Sequence, residues 1–177
     1  MSKKMNGAEY MAKLLHGYGT TYVFFVEAVL RMVTKEAEKM GIKGIMAHSE
    51  NAAGYMADGY SRVTGRPGVC MAQSIGSANL AAGVGDAWLA NTPVIAFTGK
   101  KPPLWQYKNA YQETDHWKLF EGVTKFNAEV LEAEQVPFLL RQCYREAVTG
   151  KARPVHLDVR GLTGRDLERM EIDGPVL

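Results

Sequence analysis

The chain has 177 residues, 46% of them hydrophobic and 23% charged; Lys and Arg number 21 against 19 Asp and Glu, a net charge of +2. That composition suits one well-buried globular domain and excludes a disordered tail or a coiled coil, and so small a positive excess gives no electrostatic case for nucleic acid. No run approaches the roughly 18 unbroken apolar residues of a membrane span. The first residues lack the apolar core of a signal peptide, and two isolated cysteines, Cys70 and Cys143, make no zinc site. The expectation is a cytoplasmic protein with reduced thiols and neither membrane nor nucleic acid as partner.

In chain order, a helix over residues 8–15 precedes a first apolar strand at 21–26. Val29, Met32, Val33, Ala37 and Met40 keep helical spacing and Gly41 stops them. A strand at 43–47 leads to a helix on which Ala53, Met56, Ala57, Tyr60 and Val63 form the apolar stripe, ended by Gly65. A strand at 68–73 is followed by the helical set Leu80, Ala81, Val84, Ala87 and Trp88, and then by a strand at 93–98. The connection over 99–116 is long and aromatic, and long loops in compact domains are more often functional than accidental. A strand at 123–129, a helix carrying Val136, Leu139, Leu140, Cys143, Tyr144 and Ala147, and a strand at 154–159 complete the pattern. Strands alternating with helices mean βαβ units, so the fold class is α/β: three layers, αβα, around a six-stranded parallel sheet.

In such sheets ligands bind beyond the carboxyl ends of the strands. After the second strand comes His48-Ser49-Glu50-Asn51, where Ser49 can cap the helix and Glu50 complements its dipole. Gly54 and Gly59 each cost that helix roughly 1 kcal/mol relative to Ala. They make sense if a partner subunit or cofactor approaches the backbone closely, or if helix and sheet pack tightly. After the third strand, Ser74-Ile75-Gly76-Ser77-Ala78-Asn79 opens a helix and can present N–H groups to an anion; it is neither a P-loop nor a dinucleotide turn. Gly83-Val84-Gly85-Asp86 lies inside a helical pattern and is set aside. Of the histidines, His16 lies at a helix end, His48 at a strand end and His156 within a strand, as a hydrogen-bonded structural residue. His116 closes the long loop beside Gln112, Glu113 and Asp115. Nothing in that run of neighbours brings side chains to one point, so no metal site is assigned.

Taken together, these strand ends resemble a known family. Glu50-Asn51-Ala52-Ala53-Gly54-Tyr55-Met56-Ala57-Asp58-Gly59-Tyr60-Ser61-Arg62-Val63-Thr64-Gly65 is similar to the E-x-x-A-x-x-M-A-x-G-Y-A-R-x-T-G signature of the pyrimidine-binding (PYR) domain of thiamine-diphosphate enzymes, in the acetolactate synthase, pyruvate oxidase and benzaldehyde lyase group. Asn79 matches the Asn of the family's G-P-G-x-x-N turn, Tyr111-Gln112-Glu113-Thr114-Asp115 its F-Q-E-x-D loop, Thr124-Lys125 its T-K pair, and Pro154-Val155-His156-Leu157-Asp158-Val159 its closing strand. The G-P-G of that turn reads Ser74-Ile75-Gly76 here, and Glu27 stands where the family has a small residue.

The resemblance implies a PYR domain over residues 1–160, with 161–177 as a tail or linker stub. It implies that Glu50 contacts N1′ of the aminopyrimidine and activates the cofactor, that Gly76 and Asn79 shape the turn around the ring, and that Gln112 approaches the substrate side. Thiamine diphosphate would be shared with a diphosphate-binding (PP) subunit carrying a G-D-G…N motif. That partner, and not this chain, would hold the Mg²⁺, in a homo- or hetero-oligomer. The implied activity is that of a lyase or transferase: decarboxylation or carbon–carbon ligation on a 2-oxo acid or aldehyde, by the PYR subunit of a split enzyme. The alternatives are an excised N-terminal domain of a longer enzyme and a non-catalytic PYR-like binding or regulatory subunit.

Overall fold

The computed structural model describes residues 4–26, 30–160, 169, 171–172 and 176. Six strands form one fully parallel sheet: β2 (Tyr22–Phe25), β3 (Lys43–Met46), β4 (Gly68–Gln73), β5 (Val94–Lys100), β6 (Phe126–Glu129) and β7 (Val155–Arg160). Their order is β3-β2-β4-β5-β7-β6. All six strands predicted from the apolar runs are present. A two-stranded antiparallel sheet joins β1 (Met5–Asn6) to β8 (Glu171–Ile172). Within the stretch expected as a tail, Ile172 is thus buried in the core and Val176 packs against it; two-residue strands are too short to leave a period-2 signal.

The sheet's alternation divides the core in two. Val69 and Met71 of β4, with Ile95 and Phe97 of β5, face α1 (Gly7–Gly17), α2 (Arg31–Glu38) and α6 (Gln135–Val148), whose Tyr10, Leu14, Val33 and Leu140 fill that layer. Cys70 and Ala72 of β4, with Val94 and Ala96 of β5, face α3 (Glu50–Thr64), α4 (Gly76–Ala90) and α5 (His116–Glu121). The first face is built of large side chains. The second is richer in alanine, and its helices α3 and α4 come close to each other.

That closeness corrects the reading of α3. Its buried stripe is Ala53, Gly54, Ala57, Asp58 and Ser61, while Met56 and Val63 of the expected stripe are exposed. A Cβ on Gly54 would stand 3.0 Å from the backbone carbon of Gly83, and one on Gly83 would strike the carbonyl of Asn51. The close neighbour of Gly54 is therefore α4 of the same chain, neither a cofactor nor a partner, and Gly83 is a packing glycine. Gly59 has open space where a Cβ would be.

The long connection is partly structured. It holds a 3₁₀ turn (Pro103–Trp105) and leads directly into α5, so the strand expected from residue 123 begins at Phe126. Glu27 lies outside the described residues. Among those described, no helix is long and apolar enough to cross a membrane.

Candidate functional site

The carboxyl edge of the sheet delivers the first turns of α3 and α4 side by side. Ser49 does not cap α3 as expected: its hydroxyl donates to Asn51 Oδ1 at 2.5 Å, and no side-chain cap bond forms. Glu50, half-buried in that first turn, is held from α4 instead. Asn79 Nδ2 donates to Glu50 Oε2 at 3.1 Å. Glu50 Oε1 has no hydrogen-bond partner among the described residues, and it lies over Gly76 where a Cβ would stand 2.5 Å away. Glycine at 76 is what leaves room for the carboxyl group.

Gln112 reaches the same place from the long loop. Tyr107, Asn109 and Gln112 have φ of +61°, +51° and +60°, and Ser74, directly after β4, has +51°. Non-glycine residues in this region are strained, and strain of this kind persists where surrounding contacts over-determine it. The contacts are present. Ser74 Oγ donates to the Gln112 carbonyl, and the Glu113 carboxylate accepts from the N–H of Tyr107 at 2.7 Å and of Ala110 at 3.2 Å. Gln112 Nε2 donates to Tyr111 Oη at 3.2 Å.

The result is a cleft of about 250 Å³ whose lining includes Glu50, Gly76, Asn79 and Gln112. All four residues singled out from the sequence meet there, carried by three separate segments. Ala72 and Ile75 add apolar wall, and the Oε1 of Gln73, which also lines the cleft, is a buried acceptor without a partner among the described residues. A carboxyl group with one oxygen unpartnered among the described residues can bind or share a proton with a polar group seated in this cleft.

A larger cleft, about 640 Å³, adjoins it and shares Gln112 with it. Its acidic residues are already engaged. Glu129 pairs with Lys100 at 2.9 Å, Glu113 binds its own loop, and Asp115 accepts from the Lys118 N–H to cap α5. Burial works against the charge of Asp115, yet the hydrogen bonds from Lys118 and the ammonium groups of Lys118 and Lys100 hold its carboxyl below the ordinary range.

His116, 2% exposed, is the residue that sequence reasoning undervalued. Its Nε2 donates to the Ser74 carbonyl at 3.0 Å, and its Nδ1 lies 3.0 Å from Asp158 Oδ1. Asp158, 4% exposed, also accepts from Thr98 Oγ1 at 2.7 Å. Only the motif around Asp158 hinted at this cluster, because β5, β7 and the start of α5 are far apart in sequence. His156 is structural, as expected: fully buried, stacked on Phe120, and 2.7 Å from both Thr98 Oγ1 and Asn127 Oδ1. Burial pushes its imidazole down to about 3, with Asp158 opposing the shift and His116 and Lys100 adding to it. Lys125 of the T-K pair binds the carbonyls of Glu146, Thr149 and Lys151 at the end of α6. His48 is exposed and does not line the cleft. No group of three His, Cys, Asp or Glu among the described residues is placed to hold a metal ion.

Comparison with known proteins identifies the family. Residues 5–119 match the family described as "Thiamine pyrophosphate enzyme, N-terminal TPP binding domain". The chain is 33% identical over 171 residues to the probable acetolactate synthase large subunit of Methanocaldococcus jannaschii, covering 96% of this chain and 28% of that protein. It is 32% identical over 160 residues to the acetolactate synthase isozyme 1 large subunit of Escherichia coli (89% and 28%), and 31% identical over 180 residues to the acetolactate synthase large subunit of Lactococcus lactis (100% and 31%). The chain thus spans less than a third of the length of these relatives. With more than half of its residues inside the family match and its four candidate residues gathered at the carboxyl edge of a parallel sheet, the chain belongs to the thiamine pyrophosphate enzymes, as their N-terminal TPP-binding domain.

Proposed function

We propose that this chain supplies the pyrimidine-binding half of a thiamine diphosphate site, acting with a diphosphate-binding (PP) subunit in an acetolactate synthase-like enzyme. The observation that carries this reading is the Glu50 carboxyl group: Oε2 is fixed by Asn79, and Oε1, unpartnered among the described residues, lies over a glycine that no other residue could replace without contact. When bound, thiamine diphosphate supplies a nucleophilic thiazolium carbon that adds to a carbonyl group; the organic chemistry is the cofactor's, and the protein orients and activates it. Glu50 would hold and exchange a proton at the ring nitrogen N1′ of the aminopyrimidine. Asn79 keeps the carboxyl group from rotating away, Gly76 gives the ring side its room, and Gln112 faces the substrate side from the loop.

The diphosphate and its Mg²⁺ are assigned to the PP subunit with its G-D-G…N motif, since a hard cation needs a set of oxygen ligands and the family places them there. The assembly is a homo- or hetero-oligomer in the cytoplasm. The substrate class is a 2-oxo acid or aldehyde, and the reaction a decarboxylation or carbon–carbon ligation of lyase or transferase type. The relatives' threefold greater length favours a second reading, in which the two halves belong to one longer chain.

The test is Glu50→Gln in the assembled enzyme. Loss of the proton relay should lower turnover by about 10²–10⁴ with the fold intact by circular dichroism. A variant within about threefold of wild type at saturating cofactor overturns the assignment and favours a non-catalytic PYR-like subunit.

A further inference from the structure

We propose that His116 is a positioning residue: by bridging Asp158 and the Ser74 carbonyl, it sets the turn that holds Gln112 at the edge of the cleft. This rests on the thiamine diphosphate reading of that cleft.

The bridge runs through buried groups. A carbonyl oxygen only accepts, so the proton of the Ser74 bond lies on His116 Nε2. The opposite nitrogen faces Asp158 Oδ1 at 3.0 Å, and one proton between them closes that bond. Asp158 is itself fixed by Thr98 Oγ1 at 2.7 Å, and Lys100 Nζ stands 4.0 Å from its other oxygen while pairing with Glu129. The ring is therefore anchored in the sheet through β5, β6 and β7, and its free end grips Ser74. Ser74 is where grip matters. It is a non-glycine residue in the left-handed region, its hydroxyl donates to the Gln112 carbonyl, and its own carbonyl accepts a second bond from the Ser77 N–H at 3.0 Å, which starts α4. One imidazole thus ties the Gln112 loop, the α4 turn that carries Gly76 and Asn79, and the rigid sheet to one another. His116 forms no hydrogen bond to any of the four residues, so its effect travels through Ser74.

The experiment is a double-mutant cycle in the assembled enzyme, using His116→Gln, Gln112→Ala and the double variant. His116→Gln should lower turnover about tenfold, the scale on which sub-ångström misplacement acts, with the thiamine diphosphate dissociation constant within about threefold of wild type. In the Gln112→Ala background the same substitution should add almost nothing, because residues acting in series are non-additive. Additive losses would mean that His116 does not act through Gln112, and would overturn the proposal. Should His116→Gln not fold, Asp158→Asn keeps the side-chain shape and must show the same non-additivity. Amide hydrogen exchange on the full chain separates the two layers of the argument. If Glu50→Gln proves silent, the cofactor reading falls. The brace then stands only if exchange at Ser74 and Glu113, whose amides bond Gly99 and Ala110, quickens in His116→Gln while exchange in β2 and β3 does not.

Discussion

Gly76 and Glu50 occupy one space: a Cβ on residue 76 would stand 2.5 Å from Glu50 Oε1 and 2.9 Å from Cδ. The atoms it would strike are the far end of a flexible side chain, so the molecule can yield without moving backbone. Gly76→Ala should therefore leave stability within about 0.5 kcal/mol of wild type while swinging the carboxyl group out of register with Asn79. We expect at least a tenfold fall in activity with an unchanged melting temperature. A variant with normal activity would show that Glu50 works from another position.

Gln112 is half-buried at the boundary of the two clefts, and its backbone is held by Ser74. Gln112→Ala should change turnover or product distribution in the assembled enzyme more than cofactor affinity. A tenfold rise in the cofactor dissociation constant, with kinetics at saturation unaltered, would reassign this residue to cofactor binding.

Two glycines of α3 should respond in opposite directions. Alanine at either position gains roughly 1 kcal/mol in helix propensity. At Gly54 the new methyl group meets the backbone of Gly83 at 3.0–3.1 Å, and overpacking against backbone costs about 1–3 kcal/mol. At Gly59 it meets nothing within 4 Å. Urea unfolding of the chain should find Gly54→Ala destabilised and Gly59→Ala stabilised. A Gly59→Ala variant that is stable alone yet impaired in assembly would mark this face as one that a partner approaches.

His156 sets a pH dependence. Its folded value, about 3, lies below the ordinary 6.5, so between these limits the unfolded chain binds a proton that the native chain does not. Stability should be full above about pH 6.5 and decline as pH falls toward 3. Denaturant midpoints at pH 7.5 and pH 5 should differ more in wild type than in His156→Gln. Equal shifts in both would assign the acid sensitivity to other groups; Asp115, whose depressed carboxyl titrates below the ordinary carboxylate range, contributes only at lower pH.

The periodicities were legible because each reports a local rule: apolar runs for strands buried on both faces, helical spacing closed by Gly41 and Gly65, and an α/β order that points to a parallel sheet. Glu50, Gly76, Asn79 and Gln112 were singled out for a different reason, their match to a family motif, and the fold brings all four to one cleft. Other features arose only in three dimensions. In α3 the buried stripe is set by Gly54 meeting Gly83, a contact between helices that sequence spacing ranks below Met56 and Val63. The strand β8 pairs with residues at the opposite end of the chain. His116 reads as one polar neighbour among several until the sheet order places β7 beside β5 and sets Asp158 under it. Local sequence determines which segments form and which groups stand at their ends. The crossings of the sheet decide which of those groups meet, because partners such as Ser74 and His116, 42 residues apart, come together only when the apolar faces between them are buried.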